Sequence, residues 1–564
     1  MPRPVSQSCA SPQVPSPAIR TAATVVPLRQ GNGGLEVFLL QRHANAAFLG
    51  GAYVFPGGAL DREDASAAWA IRVIGLDARA ANRRLGLARG ALAYWVAAVR
   101  ECFEEAGLLL AVDREGEPPS LGRLPTLTRQ RTALNAGQTS FAALMAQEDL
   151  YIPAASLAYF AHWVTPPLRS RRFDARFFLA KAPEGQDALH DTVETVHSVW
   201  LTPQQALNRA ERGEIELAFA TRTVLRSLSA FTTPDEALAH ARALSNVECN
   251  RPSIAQGRQG ERIFRLGDAP YHEIHWSDPD ETTRTTYDLL SGVPKRLDRL
   301  VTRIIAPNPG MMTGPGTNTY LVGEADLAVV DPGPLDDAHL RAILDAGAGR
   351  IRWIVCTHTH RDHSPAAAAL ARETRAQVIG RPPPQTDRQD ATFRPDRVPA
   401  HDERLQLGGV TLRALHTPGH ASNHVCYLLE QTRMLFTGDH VMQGSTVIIN
   451  PPDGDMRAYL ASLEALLELD VAILAPGHGY LIGEPKRELR RLIAHRHARE
   501  AKVRAALERQ GPARLEALVP AVYDDVDPRF HGAAARSLQA HLDKLVADGA
   551  VRVEGGLYAL ARRP

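Results

Sequence analysis

Apolar positions in this chain come in short runs, and several runs end on a polar residue. L-A-V-V leads to Asp331, W-I-V-C to His358, V-T-L-R-A-L to the His416–His420 turn, M-L-F-T-G to Asp439, and V-A-I-L-A-P to His478. Short apolar runs bounded by Gly and Pro read as buried strands. A polar residue just past such a run sits at a sheet edge, where the scaffold holds it. The densest stretch is Trp353–Pro365. His358 and His360 are two apart, so in extended chain both rings face one side. Asp362 and His363 follow. Ser364 reads as a helix N-cap and Pro365 as the first helical residue. Four metal-competent side chains in one strand-to-helix turn suit zinc or a similar divalent ion.

The N-terminal third alternates differently. T-A-A-T-V-V-P-L-R and L-E-V-F-L-L-Q-R flank the turn at Gly31–Gly34 and predict a hairpin. A-L-A-Y-W-V-A-A-V-R-E-C-F-E-E-A-G-L has helical spacing, with Trp95, Val99, Cys102 and Ala106 on one core stripe. Glu101, Glu104 and Glu105 lie at i, i+3 and i+4, where like charges repel. Three clustered carboxylates call for a cation, and hard oxygen donors suit Mg²⁺ or Mn²⁺. A helix over Thr233–Leu244 is expected to close this region.

Residues 249–298 are polar and aperiodic and read as a connector, with some strand at E-R-I-F-R-L. The Gly-rich T-G-P-G-T-N-T follows and is expected to overhang the metals. There it would offer Thr317, Asn318 or Thr319 to substrate. After His478 a helix begins at Lys486 in which bases outnumber acids nine to three. It reads as a solvated face able to attract phosphates. Two more helices and a short hairpin end the chain.

Composition narrows the class. At about 150 residues per domain, 564 residues make three or four domains. A formal net charge of +1 argues against a broad nucleic-acid surface. The five cysteines contain no C-x-x-C pair, so a reducing, cytoplasmic setting is expected. No apolar run approaches the roughly 18 residues that span a bilayer, so no membrane is expected. The Pro/Ser-rich N-terminus lacks a hydrophobic signal segment and reads as disordered.

The H-T-H-R-D-H string, with the four other strand ends, resembles the metallo-β-lactamase superfamily. The resemblance implies that His358, His360 and His420 hold one ion, that Asp362, His363 and His478 hold a second, and that Asp439 bridges them. Asp331 would orient a ligand loop. The implied cofactor is two Zn²⁺ with a bridging hydroxide, whose water is brought from a pKa of about 16 toward 7. Asp439 and Asp362 would be catalytic, with Asp362 managing the proton. T-G-P-G-T-N-T, the H-R-x-x-R-E run at His495–Glu500 and the helical tail are similar to the lactamase-beta-like endoribonuclease branch, whose tail is a winged helix. The glyoxalase II-like branch shares the ligand set.

R-E-C-F-E-E-A-G-L, with F-P-G-G ahead of it, looks like the Nudix box. The resemblance implies that Glu101, Glu104 and Glu105 bind metal, that Glu104 and Glu105 are catalytic, and that Arg100 steadies them. Asp64 stands where a Glu is expected, and thirty-five residues separate it from Arg100. That insertion, R-R-F-D-A-R-F-F-L-A and V-W-L-T-P resemble the motif-19 branch, which includes coenzyme A diphosphatases. Arg42 and Gly51 fit the coenzyme A signature, while Ala47 replaces its second Arg. Glu194 is a further candidate ligand.

The expected fold class is multidomain α/β and α+β. Residues 1–18 form a disordered tail and 19–248 a Nudix α/β/α sandwich. Residues 249–298 connect it to a metallo-β-lactamase αββα sandwich at 299–485, and 486–564 form a winged-helix-like domain. The expected function is a metal-dependent hydrolase acting on a thioester or phosphodiester, fused to a Nudix domain that cleaves a nucleoside-diphosphate-linked compound. The alternative is a single-strand RNA-processing factor with a non-catalytic Nudix scaffold. Expected partners are small nucleotides or thioesters, with RNA and self-association left open.

Overall fold

The structure is a computed structural model that describes residues 18–46, 49–167, 169–189, 191 and 195–561. Positions 1–17 of the expected tail, Ala47 and Glu194 lie outside the described residues. The chain divides into two compact units, Met1–Ser253 and Ile254–Pro564. Among the described residues no helix is long and apolar enough to cross a membrane.

In the first unit the expected hairpin forms from Ile19–Gly31 and Gly34–Arg42, with Leu28 opposite Val37. Ile19–Gly31 also pairs in parallel with Arg172–Lys181. Successive side chains of a strand point to opposite faces, and here both faces are covered. Val25, Leu40 and Phe178 pack against Trp95 and Val99 of the helix Leu92–Ala106. Val26 and Leu39 pack against Leu225 of Phe219–Leu228 and Leu238 of Pro234–Ala243. The last helix starts with Thr233 and Glu236 exchanging hydrogen bonds in a capping box. The result is an α/β/α sandwich.

The second unit contains two sheets. One runs Lys295–Arg296, Val301–Ile305, Asn318–Gly323, Leu327–Val330, Ile351–Val355, Gln377–Ile379. The other runs Glu403–Leu407, Val410–His416, Val425–Leu429, Met434–Gly438, Ile473–Pro476. Tyr320, Val355, Leu412, Tyr427 and Phe436 fill the space between them. Helices Asp337–Gly347 and Ala367–Thr374 cover the outer face of the first sheet, and Met456–Leu467 that of the second. This is an αββα sandwich. A small core of Val503, Leu518, Leu538 and Val551 holds together Pro485–Gln510, Leu515–Val522, His531–Ala547 and the hairpin Val551–Glu554/Leu557–Leu560.

Two sequence expectations change and a third is refined. The helix after His363 begins at Ala367, because the Ser364 hydroxyl donates to Asp390 at 2.9 Å instead of capping. The long basic helix keeps six of its nine bases exposed, as expected, but turns Arg496 and Arg499 inward. Arg496 donates to the Val447 carbonyl, Arg499 to Val522 and Asp525, and Glu500 accepts from Lys544. Residues 254–298 are built into the second unit. They include the expected strand at Arg262–Phe264, and also a helix, Tyr271–Ser277, that polar spacing concealed. Its Glu273 is fully buried, where a carboxylate is rarely expected.

Glu273 is held by Arg303 at 2.6 and 2.9 Å and by Lys295 at 2.6 Å, and it accepts the Leu481 N–H at 3.0 Å. Burial pushes its carboxyl up, but Arg303 and Lys295 prevail and hold it at about 2. A depressed folded value means stability that is complete above the unfolded carboxyl range and lost as pH falls through the folded one. Glu273→Gln should cost about 3–5 kcal/mol near neutral pH, as for a buried pair that loses one partner. In denaturant titrations the gap from wild type should narrow between the ordinary carboxyl value of 4.5 and about 2. A gap that stays constant over that range would refute the ionic origin.

Candidate metal centre

Strand ends deliver the polar residues. Asp331 follows Leu327–Val330, His358 follows Ile351–Val355, Asp439 follows Met434–Gly438, and His478 follows Ile473–Pro476. His420 lies in the turn after Val410–His416. All seven expected donors come together in two groups. His358, His360, His420 and Asp439 form one and Asp362, His363, Asp439 and His478 the other, with donor atoms within 4.8 Å of one another in each. Asp439 belongs to both. Its Oδ2 lies 3.8 Å from His420 Nε2, while Oδ1 lies 3.4 Å from His363 Nε2 and 3.3 Å from His478 Nε2. Gly477 passes close behind: a Cβ there would stand 2.7 Å from Asp439 Oδ1 and from His363 Cε1.

Hydrogen bonds on the far side of each ring fix what it presents to the cleft. Thr357 Oγ1 donates to Asp331 Oδ2 at 2.8 Å, so it accepts from His358 Nδ1 at 3.0 Å. His363 Nδ1 donates to Asp331 at 2.9 Å, His420 Nδ1 to the Ile448 carbonyl at 3.0 Å, and His478 Nδ1 to the Gly316 carbonyl at 3.2 Å. Each of these Nδ1 atoms carries a proton, assigned from its partner, so the four Nε2 atoms are the ones that face inward. His358 Nε2 and His420 Nε2 lie 2.9 and 3.0 Å from His360 Nδ1. One ring proton serves both poorly, and a cation between the three nitrogens would satisfy them all. Bonds of about 2.0–2.1 Å to a tetrahedral ion separate donors by about 3.3 Å, close to what is seen. His363 Nε2, His478 Nε2 and Asp439 Oδ1 are buried without a hydrogen-bond partner. The residues fit a pair of divalent ions.

Charge divides the two groups. Burial, then neighbouring imidazoles, hold His358 well below the ordinary histidine range and His360 at about 3, so these rings are neutral donors. In the second group burial opposes protonation, but Asp362, Asp439 and Asp331 hold His363 well above the ordinary range. Asp439 and Asp362 likewise raise His478 to about 9. That negative excess is what a divalent ion would neutralise.

Asp331 Oδ1 also accepts the Thr357 N–H at 2.7 Å, so one carboxylate grips the backbone, the hydroxyl and a ring. Sequence reading singled out Asp331 but missed Thr357, Gly316 and Ile448, since a backbone carbonyl has no signature and a Thr in a motif looks neutral. The Gly-rich loop differs from expectation. Thr317, Asn318 and Thr319 are fully buried and cannot meet substrate. Asn318 donates to Pro476 and Gly479 carbonyls, and Thr319 to that of Asp331, so they brace the ligand loops.

In the first unit Arg100 gathers the acids. Its Nε and Nη2 hold Asp64 at 3.0 and 2.9 Å, and its Nη1 donates to Glu101 and Glu104, each at 2.9 Å. Glu105 instead accepts the Gly57 N–H at 2.8 Å. The three glutamates are therefore not preassembled. Among the described residues the convergent donor groups are the two of the second unit. A Cβ at Gly58 would stand 2.5 Å from the Glu101 carboxylate, so a side chain there would push that carboxylate aside. Burial raises Glu101 to about 7 against the pull of Arg100, and burial raises Glu104 too. These acids are short of positive charge, which suits a hard divalent cation. The Gly51 N–H donates to the Arg42 carbonyl at 3.2 Å, which brings those two positions together.

Three family models match the chain: the metallo-beta-lactamase superfamily at residues 312–478, the NUDT19 Nudix domain at 79–222, and the beta-lactamase associated winged helix domain at 515–559. A "Beta-lactamase-like protein 2 homolog" of Drosophila melanogaster is 31% identical over 46% of this chain and 91% of its own length. "Thioesterase pkgB" of Emericella nidulans is 32% identical over 42% of this chain and 67% of its own. A Nudix hydrolase of known structure from Alicyclobacillus acidocaldarius is 31% identical, covers 39% of this chain and 96% of that one, and has a TM-score of 0.32. With these models and relatives matching the parts that carry the two sets of acidic and histidine side chains, the chain is a hydrolase that belongs to the metallo-β-lactamase superfamily, with a Nudix domain of the NUDT19 type ahead of that fold and a winged helix after it.

Proposed function

We propose that the second unit hydrolyses a thioester with two zinc ions, and that the first cleaves a nucleoside-diphosphate-linked compound with Mg²⁺ or Mn²⁺. The observation that carries the zinc reading is Asp439, one oxygen of which faces each donor group. His358, His360 and His420 would hold one ion, Asp362, His363 and His478 the other, and Asp439 both. Bound zinc lowers the pKa of water toward about 7 and polarises a carbonyl oxygen. The chain's own groups do the rest. Asp362 is the most exposed carboxylate of the set, with 27% of its side chain accessible, against 11% for Asp439. It is placed to take a proton from attacking water and return it to the departing sulfur. A thiol has a pKa of about 8.5, so a thiolate leaves with little help from an acid. A thioester is favoured over a phosphodiester because the Emericella nidulans relative is named a thioesterase. In the first unit Glu104 offers a part-exposed carboxylate, while Glu105 anchors the Gly57 turn. For domains we propose a Nudix part over 19–248, a hydrolase part to residue 485 that takes in 254–298, and a winged-helix part from 486. The free thiols Cys102, Cys249, Cys356 and Cys426 suit a reducing, cytoplasmic setting.

Metal analysis should find two zinc ions per second unit. A thioester screen on wild type and Asp439→Asn should show turnover and zinc content falling together, by at least about 10–100-fold in activity. Full turnover in the variant would sink the two-ion reading. Asp331→Ala should lower zinc affinity by about 10–100-fold through His363 and Thr357. Unchanged zinc retention in competition with a chelator would remove that positioning role. Glu104→Gln with Glu105→Gln should abolish cleavage of nucleoside-diphosphate compounds and leave thioester turnover intact. If wild type also fails to cleave them, the first unit is a scaffold.

A further inference from the structure

The edge of the first sheet in the second unit carries a cluster of cations that neither donor group uses. Lys295 stands opposite Arg303 across the antiparallel pair Lys295–Arg296 and Val301–Ile305. Like charges directly opposite one another destabilise a sheet. Glu273 reaches both, but there it is one carboxylate against two cations. Arg303 is buried, and its Nε has no hydrogen-bond partner. A cavity of about 250 Å³ opens on this pair. Arg303 and Ile305 both line it, as residues two apart on one strand face the same way. Lys295, Arg284 and Arg296 add three more cations to its wall. None of the seven metal-donor residues lines it.

The acids nearby leave a positive excess. Asp288 is the one acid in the wall. Its Oδ2 accepts the Arg258 N–H at 2.7 Å and lies 3.8 Å from Arg258 Nε, so its charge is shared with a further cation. Among the described residues Arg284 has no hydrogen-bond or ion-pair partner, and Arg296 donates to the Asp298 and Arg299 carbonyls. The turn that carries Arg284 is nonetheless fixed. Thr283 before it holds the left-handed conformation, with φ of 61°, and donates its N–H to Asp278 Oδ2 at 2.7 Å. Strain in a β-branched residue marks a place where position matters. Burial and the Arg303 charge hold the Lys295 ammonium below its ordinary range, against the pull of Glu273. Leu290, Val293 and Ile305 give the cavity an apolar side. A surplus of more than one positive charge suits a dianion better than a single carboxylate. Guanidinium forks match the oxygens of phosphate in shape as well as charge, and an apolar side takes an organic body.

We propose that this cavity binds a small phosphate ester, with Arg284, Lys295, Arg296 and Arg303 around the phosphate and Leu290, Val293 and Ile305 against its organic part. The site is separate from the metal centre and does not rest on the thioester reading. It adjoins the clamp on the His478 loop, since Arg303 also donates to the Gly479 carbonyl at 3.2 Å.

The test titrates the full, zinc-loaded chain with phenyl phosphate and with benzoate, which share a ring and differ in the anion. Wild type should bind phenyl phosphate about tenfold more tightly than benzoate. Phenyl phosphate held at the metal centre would not depend on arginines at the sheet edge. Arg284→Ala/Arg296→Ala should therefore weaken its binding by about tenfold while keeping zinc content and melting temperature. Should the double variant misfold, Arg284→Gln alone, at an exposed side chain, serves in its place. An affinity unchanged in the variant assigns the binding to the metal centre and overturns the cavity site. Absence of measurable binding by wild type overturns it too. Benzoate that binds as tightly as phenyl phosphate overturns the phosphate class.

Discussion

One buried carboxylate organises the second unit. Asp331 leaves its strand in the left-handed conformation, with φ of 51°, uncommon for a residue with a side chain. That turn aims its two oxygens at the Thr357 N–H, the Thr357 hydroxyl and His363 Nδ1. Thr357 then accepts from His358. Two rings, one for each donor group, thereby take their orientation from a single acid on a neighbouring strand. Strain in the backbone is tolerated where surrounding bonds over-determine it. Four hydrogen bonds around Asp331 and Thr357 do so here.

The first unit solves a related problem with the opposite charge. Arg100 spreads its guanidinium over Asp64, Glu101 and Glu104, acids that would repel one another on a bare helix. Asp64 reaches it across the thirty-five residues that separate them, so a shorter acid at that position is served by where the chain returns. In both units a buried charged group holds the candidate donors from behind. The difference is that the zinc-type donors converge already, whereas the glutamates lean on an arginine.

Buried charges also tie peripheral segments to the centre. Glu273, from a stretch that reads as a linker, accepts the Leu481 N–H, and Arg303 donates to the Gly479 carbonyl at 3.2 Å. The loop carrying His478 is thus clamped just past that residue. Arg496 and Arg499 of the long helix are spent on the Val447 and Val522 carbonyls. A buried ion pair is weak evidence for stability but a strong constraint on geometry, because leaving either partner unpaired is costly.

Much of this was legible from the residues alone. Strand ends at Asp331, His358, Asp439 and His478 follow from apolar runs of the right length. The hairpin before Arg42 and the helix through Arg100 follow from their periods. These are local properties, written within ten or twenty residues. Hidden were the burial of Thr317, Asn318 and Thr319, the use of Ser364 by Asp390, the helix around Glu273, and the inward Nε2 atoms of four histidines. Each depends on a partner that local spacing does not point to: the Gly316 carbonyl meets a ring 162 positions away, and Asn318 meets Gly479 at 161. Sequence by itself determined which side chains could serve as donors and where the chain would hold them. Tertiary structure decided which atom each one presents, because a hydrogen bond from behind, made by the Asp331–Thr357 pair or by the distant Ile448 and Gly316 carbonyls, holds Nδ1 and leaves Nε2 inward.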